Sequence, residues 1–187
     1  MQFPINLNLA GRPVLLVGGG RIALRKAQQL LQCGADLTVL APEIVNDFLD
    51  MGVTLIQRRY RTGDVQGFRL VITATADVAV DQEIFDECES LGIWVNSADD
   101  PERCTFTLPA VHRQGSVMVT VSTGGASPAL SSYLRAWIAD LIGPEYADVA
   151  AELAARRADV HSRGASTEDI DWRPIIEDVL VTHGVTR

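Results

Sequence analysis

Short aliphatic runs alternate with longer amphipathic segments through the first half of the chain. The runs predict five strands, at 14–17, 37–40, 53–56, 70–73 and 93–95. The amphipathic segments predict helices at 21–32, 44–49 and 80–91. Strands and helices that alternate in this way build βαβ units, so the pattern predicts a parallel sheet with helices on both faces.

The pattern changes after Pro101. Two runs, at 106–111 and 117–121, predict further strands that are separated by residues 112–116. A long helix is predicted from Ser127 to residue 141, because serine caps free amides and the proline that follows suits the first helical position. Its apolar positions form one broad stripe, which is typical of core or of a subunit interface. Two more helices are predicted at 145–160 and 174–182.

Composition narrows the class of protein. A length of 187 residues suggests one domain of ordinary size or one plus a small appendage, and a content of 47% hydrophobic and 21% charged residues is typical of a globular chain. Sixteen basic against 24 acidic residues give a net charge of −8, which argues against a general nucleic-acid binder. No apolar run reaches the length of about 18 residues that a transmembrane helix needs. The opening residues lack a basic segment followed by an apolar one, so we expect no signal peptide.

Cysteine and histidine spacing offers no metal or disulfide framework. Cys33, Cys88 and Cys104 are widely separated and form no C-x-x-C pair, which argues against disulfides and structural zinc and favours a reducing cytoplasm. The three histidines are also scattered. We therefore predict no metal site.

The most informative motif is Gly18-Gly19-Gly20-Arg21-Ile22-Ala23, which joins a predicted strand to a predicted helix. In a dinucleotide fingerprint Gly18 allows the tight turn, Gly20 lets the backbone approach a pyrophosphate, and Ala23 permits close helix–strand packing. The helix N-terminus then offers free amides to the phosphates. The motif predicts a bound dinucleotide; the alternative is a tight turn in another kind of α/β domain.

The residues after the second and fourth strands refine this prediction. Glu43 lies close to where an acidic residue takes the ribose hydroxyls, although it also suits the start of the next helix. No arginine directly follows the second strand, which favours NAD over NADP, while Arg58 and Arg59 leave that preference open. Small residues around Thr75 leave room for a cofactor at the same edge of the sheet.

Two further segments carry candidate chemistry. The fifth strand leads into Asp99-Asp100-Pro101, where Asp99 is a candidate for proton transfer and Asp100 fits a local turn. The segment Ser122–Pro128 places paired glycines before a capped helix. Such a loop either binds carboxylates and phosphates through its amides or simply connects a strand to a helix.

Taken in order, these segments resemble the precorrin-2 dehydrogenase family, which includes the N-terminal part of siroheme synthase. The resemblance covers most of residues 1–143. It is carried by residues 3–7, 17–20, 25–27, 74–77, 95–99, 106–110 and 121–128. The ordered set that ends in S-T-G-G-A-S-P is specific. Two positions depart from the family pattern: Thr123 replaces a serine that one branch phosphorylates, and Ala76 replaces an acidic residue.

The resemblance implies an oxidoreductase of siroheme (porphyrin-type) biosynthesis that oxidises precorrin-2 to sirohydrochlorin with NAD. Some relatives also act as a ferrochelatase, a lyase that inserts Fe²⁺ as a substrate. The family's essential carboxylate falls on Asp99. The family's NAD contacts fall on Arg21, Ile22, Pro42 and Glu43, with Gly18 and Gly20 in the turn, and the position of Thr75 adds a cofactor-binding candidate.

The resemblance also implies an organisation in three regions: an NAD-binding Rossmann domain at 1–112, a homodimerisation region at 113–143 and a helical C-terminal domain at 144–187. The tetrapyrrole substrate carries many carboxylates, so an acidic protein needs a local cationic or amide-rich cleft for it. The candidates are Arg103, His112, Arg113, Thr123, Gly124, Gly125, Ser127 and Arg135. The chain is too short for the methyltransferase half of the trifunctional synthases, so uroporphyrinogen methylation is not expected.

Two other functions remain open from the sequence. A short-chain reductase acting on another substrate would carry a Tyr-x-x-x-Lys pair, but Lys26 is the only lysine and lies in the glycine-loop helix. A non-catalytic NAD-sensing module would carry a basic recognition helix, and no such pattern is visible. We expect no nucleic-acid or membrane partner.

Overall fold

The structure is a computed structural model that describes residues 2–185. Met1, in the predicted NAD-binding domain, and residues 186–187, in the predicted C-terminal domain, lie outside the described residues. The described chain divides into two compact units, one ending at Thr107 and the other beginning at Leu108. The strands are β1 (Pro13–Val17), β2 (Asp36–Ala41), β3 (Thr54–Gln57), β4 (Leu70–Thr73), β5 (Trp94–Ser97), β6 (Ala110–Gln114) and β7 (Val117–Val121). The helices are α1 (Arg21–Gln32), α2 (Val78–Leu91), α3 (Pro128–Leu141), α4 (Glu145–Ser162) and α5 (Trp172–Thr182).

The first unit is built on a parallel sheet with strand order β3-β2-β1-β4-β5. Side chains alternate between the faces of each strand, so Leu16 packs in one core cluster with Ala23 and Ala27 of α1. Leu15 packs in the other, with Ile84 of α2. The sheet is therefore covered on both faces, as the near-continuous apolar runs of β1 and β4 require.

Loops replace helices in the β3 half of this sheet. The helix predicted at 44–49 is a single 3₁₀ turn that buries Phe48. Between β3 and β4 the chain crosses without a helix and is tied to α2 instead. The Tyr60 hydroxyl donates to Glu87, and the Gly63 amide donates to the same carboxylate at 2.8 Å. Burial and the Glu87 hydrogen bond raise the pKa of Tyr60, so the hydroxyl remains a donor.

The second unit begins with an antiparallel hairpin of β6 and β7, against which α3 packs. Its first strand was predicted at 106–111 but runs over Ala110–Gln114, so His112 to Gln114 lie in the strand and not in a connector. The reason is the turn: Gly115 adopts φ +56 and closes a two-residue loop with Ser116. The predicted boundary at 112/113 falls inside β6.

The rest of the second unit is helical and has a small core of its own. Val149 of α4 packs with Val179 and Leu180 of α5. Helix α5 begins at Trp172, two residues before the predicted start, because the Asp171 carboxylate accepts a hydrogen bond from the Arg173 amide at 3.1 Å. Within residues 2–185, no helix has the length and apolar character needed to cross a membrane.

Candidate nucleotide-binding and catalytic site

The glycine turn after β1 is packed against two neighbouring strand ends. Gly18 adopts φ +132, and a Cβ at this position would overlap the carbonyl group of Ala74 after β4. A Cβ at Gly19 would overlap the carbonyl oxygen of Glu43 after β2, and the Gly19 carbonyl accepts a hydrogen bond from the Val45 amide at 3.0 Å. Sequence reasoning gave Gly19 no role, because its neighbour becomes apparent only when the strand ends are brought together.

Gly20 differs from the two glycines before it because it faces open space. A Cβ there would meet no atom within 4 Å. Gly20 is the N-cap residue of α1, so this helix has no side-chain cap, and its first turn contains no acidic residue. The first hydrogen bond of the helix runs from the Leu24 amide to the Gly20 carbonyl. The Arg21, Ile22 and Ala23 amides have no hydrogen-bond partner among residues 2–185. An open, uncapped helix N-terminus fits a pyrophosphate.

The other helices that begin in the described chain after a loop show the contrast. Side-chain oxygens cap α2, α3 and α5, and they belong to Asp77, Ser127 and Asp171. Helix α4, in the second unit, also lacks a side-chain cap, but its first turn carries two acidic residues. A cap satisfies amides that otherwise lack partners, and it occupies the place where an anion would bind. Of these helices, α1 is therefore the one left ready for an external anion at this edge of the sheet.

Pro42 and Glu43 follow β2 at the carboxyl edge and are both exposed. Glu43 starts no helix: it lies in a bend, and its carboxylate makes no hydrogen bond within the described part of the chain. The Gln57 side chain, at the end of β3, donates to the Pro42 carbonyl at 3.5 Å. A free carboxylate in this place suits the hydroxyls of a ribose. At the start of α1, Arg21 is exposed and the Ile22 side chain is 44% exposed beside it.

Thr75 lies after β4, but its hydroxyl is held by protein groups. Its Oγ1 donates to Asp81 Oδ1 at 2.7 Å and accepts from the Asp77 amide at 3.0 Å. Ala76, at the departure from the family pattern, adopts φ +60 between them. Thr75 therefore shapes the start of α2, and a contact with a cofactor would use its backbone or methyl group.

Asp99 and Asp100 are adjacent carboxylates with different surroundings. Asp99 lies just beyond β5, is exposed, and makes no hydrogen bond or ion pair within residues 2–185. Asp100 accepts from the Glu102 amide at 2.8 Å and pairs with Arg103 at 2.6 Å. Asp100 is thus the turn-forming residue that the sequence predicted, and Asp99 is left free for chemistry.

Arg103 points back toward the protein. Its side chain is 15% exposed, and its second contact is a hydrogen bond to Gln82 of α2 at 3.4 Å. Its Nε is buried without a partner among the described residues. Arg103 therefore links the Asp99–Asp100 turn to α2. A direct contact between Arg103 and the substrate stays a prediction, and these contacts do not favour it.

Buried hydroxyls lie at the ends of the two strands beside this turn. Thr73 and Ser97 are register partners on β4 and β5, and neither side-chain oxygen has a partner among residues 2–185. Both strands end at the carboxyl edge that carries the glycine turn and Asp99. Unsatisfied polar groups at such a position are typical of a site completed by water or ligand.

The glycine loop of the second unit is internally hydrogen-bonded. Thr123 Oγ1 accepts from the Ser127 amide at 3.0 Å and contacts Ser131 Oγ at 3.2 Å, and Ser127 Oγ caps α3 at the Leu130 amide. Gly124 and Gly125 are exposed at φ +63 and +88. Thr123 and Ser127 therefore shape the loop, and the glycine amides are its accessible donors.

The basic candidates of the second unit lie on β6 and α3. His112 Nε2 is within 2.7 Å of the Ile142 carbonyl oxygen, so this side chain holds the end of α3. Arg113 is exposed on β6 and Arg135 is half-buried on α3; neither forms an ion pair within the described residues. No group of three or more histidine, cysteine or acidic residues in the part of the chain that the structure describes is placed to hold a metal ion.

Comparison with known proteins supports this interpretation of the first unit. A family model described as putative NAD(P)-binding matches residues 5–110, so the chain belongs to this NAD(P)-binding family. A solved structure named SirC, precorrin-2 dehydrogenase, matches 99% of the chain and 100% of its own length with a TM-score of 0.76 and 23% identity. The Rossmann-like α/β fold predicted from the sequence is thereby confirmed.

Curated relatives extend the match through most of the chain. Siroheme synthase 2 of Aeromonas hydrophila is 39% identical over 166 residues, which are 88% of this chain and 35% of the relative. Siroheme synthase of Ectopseudomonas mendocina is 41% identical over 193 residues, which are 96% of this chain and 41% of the relative. The resemblance noted from the motifs is confirmed, and the chain spans well under half the length of these relatives.

Proposed function

We propose that the chain is an NAD-dependent precorrin-2 dehydrogenase that forms sirohydrochlorin in siroheme biosynthesis. The observation that carries the proposal is a free carboxylate, Asp99, on the same sheet edge as an uncapped helix N-terminus and a glycine turn. A ligand-binding crevice at the carboxyl ends of the strands is general for this fold. The names of the similar proteins, siroheme synthase and precorrin-2 dehydrogenase, supply the substrate class.

The residues of the first unit fit NAD. The open space at Gly20 and the free amides of α1 suit the pyrophosphate, and the unpaired Glu43 carboxylate suits the ribose diol. Gly18 sets the turn, and Arg21, Ile22 and Pro42 border the same surface. When bound, NAD supplies a hydride acceptor.

Asp99 is assigned the proton transfer. Oxidation of precorrin-2 removes one hydride and one proton, and the hydride leaves with the cofactor. The proton needs a base at the same edge, and Asp99 has no competing hydrogen bond among the described residues. Asp100 and Arg103 hold the turn from which Asp99 projects.

Substrate recognition is assigned to the amide-rich loop at Thr123–Ser127 and to basic side chains. Carboxylates bind well to exposed amides and to unpaired arginines. Gly124, Gly125 and Arg113 are exposed, whereas His112 is engaged with a carbonyl. Arg113 therefore ranks above His112 as a direct contact.

We also propose a homodimer and a cytoplasmic location. Helix α3 leaves Leu130, Tyr133, Trp137 and Leu141 exposed at helical spacing, and an apolar stripe of this kind is typical of a subunit interface. The described cysteines, Cys33, Cys88 and Cys104, are all free, which fits a reducing compartment.

The test is anaerobic turnover of enzymatically made precorrin-2 with NAD, followed by absorbance. We expect sirohydrochlorin to form, and Asp99→Asn to lower the rate about 10²–10⁴-fold with NAD affinity unchanged. Glu102→Gln is the matched control, because it removes an exposed charge three residues away. A later addition of Fe²⁺ as substrate tests whether the same protein also forms siroheme.

The other outcomes are equally informative. Selective NAD binding without oxidation of precorrin-2 would refute the dehydrogenase and favour the NAD-sensing module. Full activity of Asp99→Asn would remove Asp99 from the mechanism while leaving the substrate assignment intact.

A further inference from the structure

Two arginines lie beside the proposed ribose site. Strands β2 and β3 are parallel neighbours, and their last register pair is Ala41 with Gln57. Pro42 and Glu43 follow one member of this pair in sequence, Arg58 and Arg59 follow the other, and the Gln57–Pro42 hydrogen bond links the two strand ends. An arginine near this place accepts the 2′-phosphate of NADP in many Rossmann domains. On position alone, this edge would favour NADP.

Arg58 is, however, held by another residue. Its two terminal nitrogens bind both carboxylate oxygens of Asp64, at 2.6 and 2.7 Å, and one of them also donates to the Arg59 carbonyl at 3.0 Å. The Arg61 amide donates to Asp64 at 2.8 Å and fixes the carboxylate in place. The Arg58 hydrogen bond lowers the pKa of Asp64, so the pair stays ionised at neutral pH.

We propose that Asp64 determines cofactor specificity by withholding Arg58 from a 2′-phosphate. The inference rests on the nucleotide-binding part of the proposed function and not on precorrin-2 chemistry. The carboxylate occupies the end-on pair of guanidinium nitrogens, neutralises the charge of Arg58 and fixes its orientation, so the attraction of Arg58 for a phosphate is reduced. The side chain of Asp64 is 15% exposed and that of Arg58 is 34% exposed, so the carboxylate half of the pair is largely shielded from water.

Other charged side chains also lie at this edge, among them Arg21 at the start of α1. Arg59 is exposed and makes no side-chain ion pair within residues 2–185, whereas Glu43 is an unpaired anion that repels a phosphate and accepts from ribose hydroxyls. Release of Arg58 would add a further attraction for a phosphate at this edge. Asp64 lies in the β3–β4 loop, away from the fingerprint positions, and thus decides between NAD and NADP without touching either.

The test measures NAD and NADP dissociation constants by calorimetry on the full chain. In Asp64→Asn, which keeps the shape of the side chain and removes its charge, we expect NADP to bind about tenfold more tightly, as one charge-assisted hydrogen bond provides. NAD affinity should change less than about twofold, because NAD lacks the 2′-phosphate. Asp50→Asn removes an exposed charge elsewhere in the first unit and should change neither constant.

A second substitution separates specificity from structure. Arg58→Gln in the Asp64→Asn background should abolish the NADP gain, and Arg58→Gln alone should leave both affinities unchanged, because this arginine is already withheld. Persistence of the gain in the double variant would overturn the proposal, as would a parallel loss of both nucleotides in Asp64→Asn. Should Asp64→Asn not fold, a loss of NADP binding in Arg58→Gln alone would overturn it.

These outcomes are distinct from those of the proposed function. A protein that binds NAD selectively, gains NADP in Asp64→Asn and yet leaves precorrin-2 unchanged refutes the dehydrogenase and supports this inference. A protein that oxidises precorrin-2 equally well with both nucleotides refutes the inference and supports the dehydrogenase.

Discussion

Alanine at each of the three consecutive glycines should have three different effects. In Gly19→Ala the new Cβ overlaps the Glu43 carbonyl oxygen and lies 2.9 Å from the Ile44 Cα, and overpacking of this kind costs about 1–3 kcal/mol. In Gly18→Ala the overlap is with Ala74, and the positive φ adds strain, for a total of roughly 2–5 kcal/mol. Each kcal/mol lowers Tm by about 2–4 °C in a protein of this size.

Gly20→Ala should spare the fold and damage the site. Its Cβ meets no protein atom within 4 Å, so the cost is limited to the poorer helix-cap propensity of alanine, at most about 1 kcal/mol. The same Cβ enters the space that a pyrophosphate would use, and we expect NAD affinity to fall at least about tenfold, the equivalent of one charge-assisted hydrogen bond.

The assay is thermal unfolding of the three variants together with NAD titration of those that fold. We expect a stable Gly20→Ala variant that binds NAD poorly, and less stable variants at the other two positions. If Gly20→Ala melts as low as Gly19→Ala, the contacts assigned to the turn are wrong. If it is stable and binds NAD normally, the pyrophosphate does not lie against Gly20.

Two further predictions concern the catalytic turn and the apolar stripe. Arg103→Gln removes the ion pair with Asp100 and should lower the free energy of unfolding by about 1–3 kcal/mol. It should also lower kcat, with a smaller change in the KM for NAD. Unfolding and steady-state kinetics measure these effects, and a change confined to KM would contradict a positioning role. Trp137→Glu replaces an apolar side chain that is 56% exposed with a charged one, and it should convert the dimer into a folded monomer. Light scattering measures the mass, and Ser132→Glu, on another face of α3, should leave the dimer intact. A monomeric unaltered protein would refute the dimer.

The sheet was predictable because its order follows from local patterns. Buried parallel strands appear as continuous apolar runs, and a glycine-rich turn that joins a strand to a helix is a strong signal of the first βα unit of this fold. Asp100 was also assigned correctly to a turn, because an aspartate before proline suits an N-cap, and it does accept the Glu102 amide. The start and end of α1 match the prediction for the same local reasons.

The bounds of β6 were predicted wrongly, and the roles of two arginines depend on side-chain contacts that the sequence does not show. The β6 strand was displaced because its alternating, half-buried residues carry a weak signal and the turn at Gly115 sets its register. Substrate contact by Arg103 stays a prediction, and the sequence does not show that Asp100 and Gln82 hold its guanidinium. Arg58 was ambiguous for the same reason, since its partner lies six residues away in an irregular loop.

The uncapped start of α1 has a consequence for the lifetime of the protein in a cell. Helices α2, α3 and α5 carry their own capping oxygens, whereas α1 has neither a side-chain cap nor an acidic residue in its first turn, so an anion from solution would stabilise it. A nucleotide at about 100 times its Kd stabilises a fold by about 2.7 kcal/mol, which lowers the unfolded fraction roughly a hundredfold. Quality-control proteases act on that fraction, so nucleotide-free chains are degraded first. The abundance of this protein should therefore follow the supply of its dinucleotide.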